Sequence, residues 1–258
     1  MKFFLPASSF GDHLGIETGK LAIQYGFDGV ELWGDGLLLL SEIDIENAYE
    51  FYKKVDLELS VHLPYIDLNI ASVNPDIRRV SLDLNLKALI TARRIGAKFA
   101  VTHTGKNSGI KTANFQIINM SSSIDSLYRL SQIATMLGMK LLLENGIKKE
   151  IGSTLKDFLS IINDLKDIYV CLDVGHANIM KWDVEKICNI KQRIKCTHVH
   201  DNNGKYDQHK SIGKGSINWT HWVGLLRKAN NIVLEIRNFT GITDFIESRE
   251  TLRDLLSS

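Results

Sequence analysis

The stretch Ile168-Tyr169-Val170-Cys171-Leu172-Asp173-Val174-Gly175-His176 reads as a short apolar strand ending in a carboxylate, with an imidazole following across a tight turn. A run of this length, β-branched and bounded by a glycine, suits a strand buried on both faces. The same pattern recurs along the chain. Strands are predicted at Lys2–Leu5, Gly29–Leu32, Leu57–His62, Phe99–His103, Lys140–Glu144, Ile168–Asp173, Ile194–His198 and Ile232–Ile236. Helical periodicity fills the intervals. Val80, Leu84, Ala88 and Ala92 recur at spacing four within a helix predicted over Ile77–Ile95, and Asn74-Pro75-Asp76 supplies its opening. Further helices are predicted over Ser123–Leu137, Leu155–Leu165 and Asp244–Leu255.

Eight strands, each followed by helical sequence, imply a parallel sheet, and eight is the number that closes a barrel. An open doubly wound sheet is the alternative, but no GxGxxG follows the first strand. With no low-complexity linker or composition shift, the expectation is an α/β fold, a single (β/α)8 TIM barrel forming one domain over residues 1–258. Hydrophobic content of 44% provides a substantial core, and a net charge of +1 provides no overall field to attract nucleic acid. The apolar run at the N-terminus is too short for a signal peptide, and Leu37–Leu40 is far too short to span a bilayer, so a cytoplasmic location without membrane contact is expected. Cys171, Cys188 and Cys196 lack CxxC spacing; Cys171 and Cys196 read as packed core thiols.

The chemistry lies in where the polar residues fall. Six strand runs end in a possible metal ligand: His62, His103, Glu144, Asp173, His198 and Glu235, at successive gaps of 41, 41, 29, 25 and 37 residues. Each gap is about one βα unit, so all six would converge on the C-terminal mouth of a barrel. His176, just after Asp173, and the loop Asp207-Gln208-His209 add three more donors. The glycines of Gly213-Lys214-Gly215 would let that loop fold back over the opening. A lone strand histidine is more often a hydrogen-bonded core residue, and a lone strand-end carboxylate commonly caps the next helix. Burying several carboxylates together without cations is costly, so the joint pattern points to a divalent metal. Mixed nitrogen and oxygen donors suit zinc, manganese or iron.

Other residues carry weaker signals. Glu31 and Trp33 end the second strand, where pocket lining and rim packing are equally good readings. His200 has three readings: substrate contact, support of a metal ligand, or neither. Lys210 and Lys214 suit either a phosphate contact or solvated loop positions, and Arg237 is better placed for an anion. His13 and His221 lie in or beside predicted helices and read as surface residues.

The chain resembles the xylose isomerase-like barrel superfamily, which includes sugar isomerases, epimerases and endonuclease IV-type enzymes. The resemblance runs from Phe27-Asp28-Gly29-Val30-Glu31-Leu32-Trp33 to Leu234-Glu235. It includes His62-Leu63-Pro64-Tyr65, Thr102-His103-Thr104-Gly105, Leu143-Glu144-Asn145, Asp173-Val174-Gly175-His176-Ala177-Asn178 and the stretch from His198 to Trp219. The sugar-isomerising branch implies one metal held by Glu144, Asp173, His198 and Glu235. The endonuclease IV-like branch implies a trinuclear cluster that adds His62, His103, His176, Asp207 and His209. The ligand set is thus nuclease-like, while the segments around Asp173 and Gly213 resemble sugar phosphate isomerase and epimerase relatives. No clear match to the intercalating loops of the endonucleases is present.

The first expectation is therefore an isomerase or epimerase of a small sugar or sugar phosphate, dependent on one to three divalent ions. Glu144 and Glu235 would move protons, and His176 would steady an oxyanion. The alternative is metal-dependent phosphoester hydrolysis, on abasic nucleic acid or a small phosphorylated compound. A third class is a catalytically idle metal- or sugar-binding barrel.

Overall fold

The computed structural model describes residues 1–110 and 112–257. Its strands are β1 (Lys2–Pro6), β2 (Gly29–Trp33), β3 (Glu58–His62), β4 (Phe99–Thr102), β5 (Lys140–Glu144), β6 (Tyr169–Asp173), β7 (Ile194–Val199) and β8 (Asn231–Leu234). All eight pair in parallel in chain order, and β1 pairs with β8, so the sheet closes as a (β/α)8 barrel. No helix among the described residues is long and apolar enough to cross a membrane.

Strand residues alternate between the barrel interior and the helical layer. Phe4, Phe99, Val101, Leu142, Cys171, Cys196 and Val233 pack together as the inner plug, all buried. Two residues further along five of these strands stand His103, Glu144, Asp173, His198 and Glu235. The period of two places each on the same inner face, one layer higher. The chain thus builds an apolar plug first and a polar layer on top of it. Cys171 and Cys196 are packed thiols, as expected, and burial holds the Cys171 thiol well above its ordinary pKa.

Several boundaries differ from the sequence expectation. His103 lies just beyond β4 and Glu235 just beyond β8, where the Ile236 N–H turns back to donate to the Leu234 carbonyl at 2.8 Å. The fourth βα helix runs over Ala113–Met136, ten residues longer at its start than the apolar period indicates. That added segment is fixed by polar contacts that leave no hydrophobic period. Asn119 Nδ2 donates to the Ala71 carbonyl at 2.9 Å, while Ile117 and Ile118 remain exposed. The helix predicted from Ile77 begins at Pro75, with the Asn74 side chain accepting from Asp76 N and Ile77 N.

Candidate metal centre

Every proposed donor except Asp207 is at least four-fifths buried, and all nine lie at the mouth end of the barrel. With His200 joining them, they form three adjoining groups: His62, His103 and Glu144; Glu144, Asp173, His198 and Glu235; and His176, His200, Asp207 and His209. A four-coordinate ion with bonds of 2.0–2.1 Å sets neighbouring donors about 3.3 Å apart, the edge of the tetrahedron. The observed separations match that edge. His62 Nε2 and His103 Nε2 lie 3.2 and 3.5 Å from Glu144 Oε2. His198 Nδ1 lies 3.4 Å from Glu144 Oε1 and 3.3 Å from Glu235 Oε1. Asp173 Oδ2 and His198 Nδ1 are buried without a hydrogen-bond partner. Unpartnered buried donors at this spacing fit a divalent ion.

The opposite edge of each imidazole is anchored. Nδ1 of His62, His176 and His209 contacts the carbonyls of Leu63, Asn145 and Glu235 at 2.9, 2.9 and 2.6 Å. His103 Nδ1 meets Glu150 Oε2 at 3.0 Å. With Nδ1 as the donor, each Nε2 is left with a lone pair facing the cluster. His198 is reversed: its Nε2 meets Glu31 at 3.3 Å, and Nδ1 faces the donors.

The charges support one another. Burial opposes protonation of His103, yet Glu150 and Glu144 hold its pKa up at about 9. Burial likewise opposes charge on His176 and His198, but Asp173 and Glu235 respectively, with Glu144, push both well above the ordinary range. Burial would raise the Glu144 carboxyl, but His103 and His198 carry it well below the usual value. A divalent ion would replace this shared protonation as the compensating positive charge.

Asp173 caps the helix that follows, its Oδ1 accepting from His176 N at 2.6 Å, while its Oδ2 has no hydrogen-bond partner. The tight turn expected after it is the first turn of a helix over Val174–Ile179. The loop after β7 is set by Asp201, which was not singled out from the sequence. Its carboxylate accepts from Asn202 N, Gly213 N, Ile217 N and Trp219 Nε1 at 2.8, 2.9, 3.2 and 3.1 Å. Gly215 lies so close that a Cβ there would stand 2.1 Å from Asp201 Oδ1. The glycine segment therefore folds back onto Asp201. His209 within this loop has a left-handed backbone, φ 45°, a strained conformation for a non-glycine residue.

A cavity of about 90 Å³ opens above the donors, lined by His62, Tyr65, His103 and Glu235 among others, with Arg237 at its edge. Arg237 Nη2 lies 3.4 Å from Tyr65 Oη. The other proposed substrate contacts lie elsewhere. Glu31 is buried under His198 and also accepts from Ser60 Oγ at 3.3 Å. Trp33 packs edge-on with exposed His13 at the rim, centroids 5.1 Å apart. Lys214 is exposed outside the cavity lining, and His200 is fully buried against His209. Glu150, Tyr65 and Asn145 were not given roles from sequence. Only Asn145, directly after Glu144, carried a usable positional signal.

Comparison with known proteins matches residues 20–255 to the family described as xylose isomerase-like TIM barrel. The chain is 34% identical to uncharacterized protein MJ1614 of Methanocaldococcus jannaschii, over 88% of each chain. It is 29% identical to the probable endonuclease 4 of Aquifex aeolicus, over 72% of each. Among solved structures, a D-tagatose 3-epimerase-like protein superposes with a TM-score of 0.84 at 28% identity, covering 100% of this chain and 97% of the other.

Proposed function

The chain belongs to the xylose isomerase-like TIM-barrel family, and from that premise we propose that it is a metal-dependent phosphoesterase acting on a nucleic-acid backbone. The observation that carries this reading is the orientation of Glu144. Its Oε2 faces His62 and His103, while its Oε1 faces His198. A carboxylate turned to two donor groups at once is arranged as a bridge. A single-metal epimerase site would use only the group of Glu144, Asp173, His198 and Glu235, and the donors His62 and His103 on the other oxygen of Glu144 would be superfluous to it.

Divalent ions in these groups would supply Lewis acidity, making water acidic near neutrality and stabilising a departing oxygen. The protein's own residues do the rest. Anchored Nδ1 atoms fix the imidazoles so that little reorganisation is needed on binding. Arg237 and Tyr65 stand where a phosphate would enter the cavity, and the guanidinium remains charged at any working pH. Its charge is further secured by Glu235 and Tyr65, which outweigh the effect of burial.

The rim supports a polyanionic substrate. Exposed Lys106, Lys148, Lys149, Lys181, Lys205 and Lys214 sit on the loops after β4, β5, β6 and β7. None of these six forms an ion pair among the described residues. Unpaired ammonium groups around one opening suit backbone phosphates. The endonuclease 4 likeness favours the same substrate class.

A second reading, sugar isomerisation or epimerisation, is favoured by the small cavity and by the likeness to the epimerase-like structure. One experiment separates the two. Metal-replete protein is incubated in H2¹⁸O and D2O with an abasic-site oligonucleotide and, separately, with ketohexoses. The proposal expects strand scission with one solvent oxygen in the phosphate product. Carbon-bound deuterium in a sugar, with no scission, would reject it in favour of the second reading.

A further inference from the structure

The lower end of the barrel, opposite the donors, carries charge on its inner face. Period two sets Lys2, Lys140, Tyr169 and Asn231 one layer below Phe4, Leu142, Cys171 and Val233 of the apolar plug. Polar residues at this end of such a barrel ordinarily serve stability. Stability calls for opposite charges in pairs, and Glu58 supplies them only in part. Its Oε2 pairs with Lys2 Nζ at 2.6 Å and with Lys98 Nζ at 3.7 Å. Asp28 and Asp56 add their negative field at Lys2. Lys140 and Lys195 form no ion pair among the described residues. Both ammonium groups instead approach one ring, that of Tyr169, at 5.7 and 5.6 Å from its centroid. A cation beside an exposed ring gains little and keeps its charge, so two like charges are left at one place without a counter-charge.

These lysines border a cavity of about 290 Å³. Lys98, Lys140 and Lys195 stand on its wall, and Phe99 and Leu142 of the plug form its apolar floor. Backbone bonds fix the rim. Lys140 N donates to the Lys98 carbonyl at 3.2 Å, and Asn230 N donates to the Lys195 carbonyl at 3.1 Å. Three ammonium groups thus face a recess that contains one carboxylate, Glu58, already engaged by Lys2.

We propose that this lower cavity is a binding site for a small organic phosphate, separate from the metal centre. Lys140 and Lys195 take the phosphate oxygens, with Lys98 beside them, and Phe99 and Leu142 receive the apolar part of the ligand. Lysine suits this task as a mobile point charge that needs no fixed fork geometry. The volume lies at the lower end of the range for small-molecule sites, about 300–1,000 Å³, so the ligand is small. The plug stands between this cavity and the donor layer. Occupancy therefore requires no metal, and the inference holds whichever reaction the upper mouth performs.

Phenylphosphonate is the probe, because it carries a phosphate-like dianion and a ring but has no ester bond to cleave. It is titrated by calorimetry into the metal-replete full chain at physiological ionic strength. The Lys140→Met/Lys195→Met variant keeps the side-chain length and apolar stems, and its melting temperature checks that it is folded. Its affinity at this site should fall about tenfold or more, from the loss of two charged donors. Arg237→Met, altered at the upper mouth, should retain the site in full. A crystal structure of the wild-type complex should place phosphorus between Nζ of Lys140 and Nζ of Lys195, without relying on any variant. Equal affinity in the wild type and the double variant, or a loss that follows Arg237→Met instead, would overturn the proposal. So would phosphorus found only at the upper mouth. Sulfate binding as tightly as phenylphosphonate would also reject it, since the cavity would then attract any anion.

Discussion

Replacing Asp201 by Asn tests whether the ligand-bearing loop is held from behind. The side chain touches none of the nine proposed donors, yet its two oxygens take four N–H groups from Asn202, Gly213, Ile217 and Trp219. Backbone bonds between Asp201 and Lys210, at 2.8 and 2.9 Å, close the base of the same loop, and Asp207 and His209 lie between them. Asn retains one acceptor oxygen, which can keep two of the four bonds. The other two donors would face an NH2 group. Hydrogen bonds to a charged acceptor contribute about 1.5–3 kcal/mol each, so two orphaned donors should cost about 3–6 kcal/mol. Domain stabilities are typically about 5–15 kcal/mol, so the variant should fold but with a large loss. Urea unfolding of the metal-free variant should show the lower midpoint with an unchanged slope. Metal analysis should show weakened loading of the group containing Asp207 and His209. A wild-type midpoint together with wild-type loading would refute the reasoning, because the loop would then be positioned without this cage.

Three further outcomes are expected. Glu31→Gln removes the carboxylate that fixes the His198 ring and should lower metal affinity about 10- to 100-fold in chelator competition; unchanged affinity would make Glu31 only a core residue. Glu144→Ala should weaken two donor groups at once, whereas Asp207→Ala should weaken one, so equal metal content in the two variants would contradict a bridging Glu144. For the metal-free protein, His103, His176 and His198 have raised pKa values, so their contribution is complete below the unfolded value near 6.5 and is lost as pH rises through the folded values, about 9 for His103. Its melting temperature should therefore fall between pH 6.5 and 9, while metal affinity rises over the same window because the imidazoles must shed protons to bind. A metal-free melting temperature that climbs over that window would contradict the sign.

The barrel was legible because five of the eight strands repeat one local rule, an apolar inner residue followed two positions later by a donor, as in Val101 and His103 or Leu142 and Glu144. Periodicity of two reports facing directly, so convergence of the donors needed no tertiary information. The start of the helix over Ala113–Met136 was not legible, since Asn119 fixes it by donating to the distant Ala71 carbonyl and Ser122 by accepting from Arg78 Nη1. Such polar contacts leave no apolar period in the sequence. The placements of Glu31 and His200 were left open for a related reason. Both positions point inward, but only the closed barrel shows that one lies under His198 and the other against Gly175. Asp201 was invisible as a loop anchor because its four partners are spread over eighteen residues of irregular chain.

If Glu144 serves two donor groups at once, the mouth holds a cluster of ions. This is tested most directly by metal equivalents per chain, measured by mass spectrometry after equilibration with buffered free zinc and removal of unbound ion. Three equivalents are expected in the wild-type protein. A value that saturates at one would contradict it, leaving the single site of Glu144, Asp173, His198 and Glu235.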